Sequence, residues 1–193
     1  GYYLADPEEL DAYVNGNKAL VAEAEGNGTA LTVEYSLAVS SGIRGQVVSF
    51  HDGSDVTVSL FAAGSAEPKY TVAVPGGTKD SSGKYTATYD IPEAAPGTYT
   101  MRVSKKNHVT REYTITVGTD AVTQDVKIHL MGDINGDGRV NISDVNRANL
   151  HTKGRSTLDG YELDCADTNG DGRVNISDVN KLNLHVKGKS LLW

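Results

Sequence analysis

The sequence predicts a multidomain β + α chain, a small antiparallel β-sandwich followed by an α-helical module, with a further segment ahead of both. Three observations carry that expectation. Between residues 42 and 130, short runs of alternating apolar and polar residues are separated by turn residues at regular intervals. From Gly132 onward a segment repeats with a period of 34, and each copy closes in a helical pattern. At 193 residues there is room for one or two domains.

The opening residues, 1–41, read as helix then strand, the tail of an upstream module or an extra strand on the sandwich. Asp6-Pro7-Glu8-Glu9 supplies a cap, a proline at the first helical position and a capping box. This predicts a helix to about Val14 and a second from Lys18 to Glu25. Leu31, Val33, Tyr35, Leu37 and Val39 then alternate with polar or small residues, the pattern of a strand.

The sandwich is expected over 42–130, with strands at 44–50, 56–62, 69–74, 84–89, 98–104, 111–117 and 122–130. Turns fall at His51-Asp52-Gly53-Ser54, Pro75-Gly76-Gly77, Ser81-Ser82-Gly83, Ala95-Pro96-Gly97 and Gly118-Thr119-Asp120. Tyr99, Met101 and Val103 alternate with Thr98, Thr100, Arg102 and Ser104, as in a half-buried antiparallel strand. Tyr70, Tyr85, Tyr89, Tyr99 and Tyr113 read as packing residues; the alternative is that they form a carbohydrate-binding platform.

Residues 132–154 and 166–188 are identical at eighteen of twenty-three positions. In each copy oxygen-bearing residues occupy positions 1, 3, 5, 9 and 12 of a twelve-residue loop. They are Asp133, Asn135, Asp137, Asn141 and Asp144, then Asp167, Asn169, Asp171, Asn175 and Asp178. Arg139 and Arg173 at position 7 would offer backbone carbonyls, and Gly138 and Gly172 stand at position 6, where such a loop turns. A hard divalent cation takes about six to eight oxygens, and only a chain wrapped round the ion delivers that many from one short segment. The grid contains no Cys or His, which disfavours zinc and copper. Two EF-hand-like calcium loops, holding two Ca2+ ions, are the expectation.

An ordinary EF-hand has a helix on both sides and Glu at position 12. Here position 12 is Asp, and 126–130 alternate like a strand where an entering helix would stand. Helices are expected after the loops, from Ser143 to about Thr152 and from Ser177 to about Val186. Each closes in Lys-Gly, at Lys153-Gly154 and Lys187-Gly188. A short linker helix is expected over 156–164.

Paired loop–helix units with Asp at position 12 and a short helical linker resemble the dockerin module of bacterial cellulosomes and related complexes, amylosomes included. The resemblance covers 131–193. It implies a calcium-dependent module that folds around its metal and docks onto a cohesin of a scaffold protein for polysaccharide degradation. Where the best-known dockerins carry Ser-Thr at loop positions 10 and 11, this chain has Ile142-Ser143 and Ile176-Ser177. Residues 42–130, through Gly45-Gln46-Val47-Val48 and the stretch from Pro96 to Lys105, resemble the carboxypeptidase regulatory-like, transthyretin-type sandwich. That implies a spacer, similar to the X-module that precedes some dockerins.

Helical spacing assigns a face to each helix. Val145, Ala148 and Thr152, with Val179, Leu182 and Val186, form the stripe expected in the core. Ser143, Asn146, Arg147 and Leu150 share another face, matched by Ser177, Asn180, Lys181 and Leu184. One leucine per helix in a polar surround suits an apolar anchor in a polar rim. Ile142 and Ile176, at loop position 10, either join that candidate partner face or are buried. Trp193, with Leu191 and Leu192, is expected to fold back near Leu130 and Met131.

Net charge is −7, from 25 acidic and 18 basic residues. Six of those acids are loop aspartates, so two calcium ions would bring the charge to about −3. The acidity is metal chemistry. No basic stripe suggests nucleic acid, and no apolar run approaches the roughly 18 residues of a membrane helix. Cys165, the single cysteine, reads as a buried small hydrophobe. No catalytic constellation is found: His51-Asp52 reads as surface polarity in a turn and His108 as a solvated loop, and no nucleophile elbow, phosphate loop or His-Glu-x-x-His occurs. The expectation is a non-enzymatic, extracellular fragment of a larger secreted protein.

Overall fold

The computed structural model describes residues 12–14, 17–19 and 41–193. The chain divides into two units, Gly1–Val39 and Ser40–Trp193. In the first, β1 (Ala12–Val14) pairs antiparallel with β2 (Asn17–Ala19), Val14 opposite Asn17. This corrects the helices expected to reach Val14 and to begin at Lys18. Tyr13 and Val14 favour strands, and the dipeptide between them, Asn15-Gly16, is the pair that two-residue hairpin connections select. The strand expected at 31–39, and the rest of both helices, lie outside the described residues.

In the second unit two sheets face each other. β3 (Gly42–Ser49) is flanked on one side by antiparallel β6 (Tyr85–Ile91). On its other side run β9 (Ala121–Thr123) and β10 (Val126–Lys127), both parallel to it. The second sheet orders β5 (Tyr70–Val74), β4 (Val56–Ala62), β7 (Gly97–Lys105) and β8 (Arg111–Val117), all antiparallel. Period-two alternation sends Val56, Val58 and Leu60, Ala87, Tyr89 and Ile91, and Tyr99, Met101 and Val103 into the core between the sheets. Each fully buried side chain of this size contributes about 1.5–3 kcal/mol.

Four of the five tyrosines meet the core between the sheets, and Tyr85 stands against Lys105. Tyr89 and Tyr99 are buried, and Tyr70, Tyr85 and Tyr113 are half-buried. Tyr99 donates its hydroxyl to Ala95 O at 2.9 Å. None stands exposed as a flat platform for a sugar ring.

The run expected as one strand over 122–130 is broken. Gln124 N–H still donates to Arg44 O on β3 at 2.9 Å, and the chain leaves the ladder at Asp125. Gln124 O accepts the buried Tyr89 hydroxyl at 2.7 Å, and the Asp125 carboxylate accepts Gln46 N–H at 2.9 Å. Gly45 makes the approach possible, since a side chain there would fall within 3.0 Å of Gln124 O.

At one end of the sandwich, Lys105 and His108 are buried among backbone carbonyls, which corrects the solvated loop expected at His108. Lys105 Nζ donates to Ser49 Oγ at 3.0 Å, Phe50 O at 3.3 Å and Asp52 O. His108 Nε2 accepts Phe50 N–H at 3.0 Å while Nδ1 faces Lys106 O at 2.7 Å, which fixes a neutral ring protonated at Nδ1. Burial holds the His108 pKa down to about 4, against 6.5 unperturbed; Lys105 and His51 also oppose a charge there, and Asp52 favours one. The unfolded chain therefore binds a proton between pH 6.5 and 4 that the folded sandwich excludes, and stability falls as pH drops through that window. The loss is of order 3 kcal/mol. Urea unfolding of the strands should show its midpoint falling from pH 6.5 to 4, with a flatter profile in a His108→Gln variant. Identical slopes in the two proteins would contradict this.

From β10 the chain passes alongside the β7–β8 turn. Val109 N–H donates to His129 O at 2.9 Å and Met131 N–H to Asn107 O at 3.0 Å. The helices follow: α1 (Ile142–Thr152), α2 (Tyr161–Ala166) and α3 (Ile176–Val186). α1 and α3 begin one residue earlier than expected. α2 begins five residues later than the linker helix expected over 156–164. Leu158 is drawn into the core with its N–H on His151 Nδ1 at 3.1 Å, and Gly160, at φ 48°, turns the chain into α2. Ile134, Val145, Ala148, Leu158, Cys165, Ala166, Val179 and Leu182 form the helical module's own core. Thr152 and Val186, at the ends of the expected stripe, are not buried; Val186 is 36% exposed in the last turn. No described helix is long and apolar enough to cross a membrane.

Candidate functional site

Loop closure and helix capping use the same residues. Asn141, at loop position 9, is also the N-cap of α1, its Oδ1 accepting Ser143 N–H at 2.8 Å. Asp144, at position 12, is the third residue of that helix, and its Oδ2 accepts Asn141 N–H at 2.9 Å, completing a capping box. Its Oδ1 accepts the N–H groups of Ile134 at 2.9 Å and Asn135 at 3.2 Å, across the loop. Asn175 and Asp178 repeat the capping box on α3, and Asp178 Oδ1 accepts Asn169 N–H at 3.2 Å.

The start of each loop is organised by its first carboxylate. Asp133 accepts Asp137 N–H at 3.1 Å and Gly138 N–H at 2.9 Å; Asp167 accepts Asp171 N–H at 3.2 Å and Gly172 N–H at 2.8 Å. Asn135 and Asn169 accept the same Asp137 and Asp171 N–H groups. The position-5 carboxylates accept from the N–H groups of Arg139 and Arg173, both at 2.9 Å.

The donor set fits a hard cation. Asp133 and Asp144 are fully buried in one loop with Asp137 beside them, and Asp178 is buried in the other. Burial raises the Asp133 carboxyl pKa to about 6, with Asp144 and Asp137 pushing the same way, and burial raises that of Asp144. Among the described residues no Lys, Arg or His pairs with any of the six loop carboxylates. Buried like charges without a counter-charge are costly, and a divalent cation supplies one.

The helical face expected to meet a partner is exposed on both repeats. Ile142 is 57% and Ile176 62% exposed, and Leu150 and Leu184 are each 41% exposed. Ser143, Asn146, Ser177, Asn180 and Lys181 are exposed too, while Arg147 is half-buried in an ion pair with Glu162. Lys181 Nζ donates to Thr168 O at 3.3 Å.

The repeat runs further than the loop and helix alone. His151 and His185 are equivalent, and their Nδ1 atoms accept the N–H groups of equivalent Leu158 and Leu192, at 3.1 and 3.2 Å. The His-to-Leu spacing was visible in the sequence and marks the tail as part of the second repeat. Leu192 packs beside Gly132 and Leu182. The tail folds back beside Gly132, next to Met131, and the Trp193 ring stands 4.7 Å from that of His185 and 5.9 Å from that of His51 on the sandwich. Cys165 is buried, and burial raises its thiol pKa.

Sequence reasoning missed the residues by which the sandwich reaches the module. Tyr161 on α2 donates its hydroxyl to Val109 O and accepts His129 N–H at 3.1 Å, with the Arg111 guanidinium 4.7 Å above its ring. Phe50 and His129 press on the first loop, and Lys127 Nζ donates to Gly136 O. No local pattern marks these contacts, because both partners of each are ordinary residues of their own elements.

Residues 131–187 match the family model described as dockerin type I domain. No curated protein matches the chain. Among solved structures, the chain is similar to one in a complex described as a C-terminal interface mutant of a type II cohesin–X–dockerin complex from Acetivibrio cellulolyticus. The identity is 18% over 75% of this chain and 94% of that one, at a TM-score of 0.31. It is also similar to one in an N-terminal interface mutant of the type II complex from that organism, at 19% identity, the same coverages and a TM-score of 0.30.

Proposed function

We propose, from the premise that residues 131–187 form a dockerin type I module, that the chain is a calcium-dependent anchor that joins a secreted protein to a cohesin of an extracellular scaffold for polysaccharide degradation. The observation that carries this reading is the pair of capped loops, each with an all-oxygen donor grid and a buried carboxylate at position 12. In the first loop, Asp133, Asn135, Asp137, Asn141, Asp144 and the carbonyl of Arg139 would hold one ion. In the second, Asp167, Asn169, Asp171, Asn175, Asp178 and the carbonyl of Arg173 would hold the other. Bound calcium would supply positive charge to the three carboxylates that each loop carries. The chain's residues do the rest. Asp144 and Asp178 tie each loop to the first turn of its helix, so an ordered loop fixes the direction of α1 or α3. Ile142 and Leu150, or Ile176 and Leu184, then present apolar anchors within a polar rim. Residues 42–130 serve as a spacer.

Calorimetry of the full chain against a panel of cohesins tests the proposal. At least one should bind with calcium and none after chelation. Binding that survives chelation, or none across the panel, would count against it.

A further inference from the structure

Two loops of nearly identical sequence have unlike surroundings. Gly136, at position 4 of the first loop, is buried, whereas its equivalent Gly170 is exposed. A Cβ on Gly136 would fall within 3.0 Å of the His129 ring, and one on Gly138 within 3.0 Å of the Phe50 ring. At Gly170 and Gly172 a Cβ would meet nothing within 4 Å. The contrast does not come from backbone conformation, since φ is 68° and 73° at positions 4, and 88° and 80° at positions 6.

The pressing side chains are themselves held. Phe50 is buried at the end of β3, with its N–H on His108. The His129 ring lies 5.0 Å from that of Tyr161, with the Cys165 sulfur 3.8 Å from its Nδ1. Lys127 Nζ, on β10, donates to Gly136 O. The carboxylates follow suit: Asp133 is fully buried and its equivalent Asp167 half-buried.

We infer that the sandwich is a positioning element for the first calcium site, Phe50 and His129 holding the backbone of loop positions 4 and 6 so that this site binds calcium more tightly and releases it later than the second. The inference rests on the calcium reading above. Binding to a flexible loop must offset the entropy of ordering it, and a loop already braced has less to lose. Asp133 is also better shielded from water, which strengthens its attraction to a cation. The second loop has no such neighbours at positions 4 and 6, so its order depends more on the ion.

The test is a calcium titration of the calcium-free full chain, following the backbone amides of Gly138 and Gly172 separately by NMR. Gly138 should saturate at a calcium concentration at least tenfold below that for Gly172. Phe50→Ala should raise the first loop's midpoint about tenfold and leave the second unmoved. Because that change also opens the end of the sandwich, Gly136→Ala and Gly170→Ala form a second comparison. Both impose the same backbone strain, and only the first meets a neighbour. Gly136→Ala should therefore weaken its loop more than Gly170→Ala weakens its own. Equal midpoints in the wild type, or equal effects of the two alanines, would overturn the inference while leaving the calcium reading intact. No response at either amide would remove the calcium reading and this inference with it.

Discussion

Chelating calcium from the full chain is expected to melt α1 and α3 while the two sheets of the sandwich stay folded. Each helix has 11 residues, below the length of about 12–15 at which even favourable isolated helices become marginal in water. Their shared core is a short set of residues, separate from the core between the sheets. The first turn of each helix is capped by an Asp that also closes its loop, so removing a cation from the loop would stress loop and helix at once. With free calcium a hundredfold above the dissociation constant, each occupied site would contribute about 2.7 kcal/mol, comparable to a small module's whole margin. Helical circular dichroism should fall on chelation while strand amides keep their dispersion. If the sandwich braces the first loop, α3 amides should collapse at lower chelator than those of α1. Unchanged amide dispersion across 142–186 after full chelation would refute the account.

What the sequence made legible was whatever rests on local spacing. The oxygen-donor grid is a pattern of single residues, and the loop closure it predicts, with Asn141 and Asp144 capping α1, is encoded within one turn of the chain. The strands from β3 to β8 likewise announce themselves by alternation. Residues 12–19 show how two local signals compete: the capping pattern at Asp6-Pro7-Glu8-Glu9 argues for a helix, and Asn15-Gly16 for a hairpin. The strand pairing of Val14 with Asn17 follows the second. The break between β9 and β10 was not legible, because its cause is a hydroxyl on another strand, Tyr89, and a carboxylate bond to Gln46. Nor was the inequality of the two loops. Phe50 ends a strand far upstream of Gly138, and nothing in either neighbourhood announces that they touch. A repeat in sequence is therefore a statement about each unit's internal design and not about its surroundings.

The same near-identity sets the expected behaviour of the partner face. Leu150 and Leu184 are equally exposed at equivalent places, each ringed by Ser, Asn and a cation, and Ile142 and Ile176 stand out still further. A cohesin recognising one face would find nearly the same groups on the other after turning the module by about half a turn. With two modes of equal weight, losing one halves the association constant, a cost of about 0.4 kcal/mol. Leu150→Ala or Leu184→Ala alone should thus weaken binding about twofold. The double variant removes the anchor from both modes and should weaken it tenfold or more, about 1.4 kcal/mol. Neither leucine is in the module's core, so calcium-loaded stability should hold and the loss should read as affinity. The repeats do differ at the rim. Arg147 is tied to Glu162, and at the position equivalent to Thr157 the second repeat exposes Leu191, 69% accessible beside Leu184. A mild bias toward α3 would show as a larger effect of Leu184→Ala than of Leu150→Ala, both still well short of the double change. Abolition by one single variant with no effect of the other would mean that one helix carries the interface and the two-mode reading is wrong.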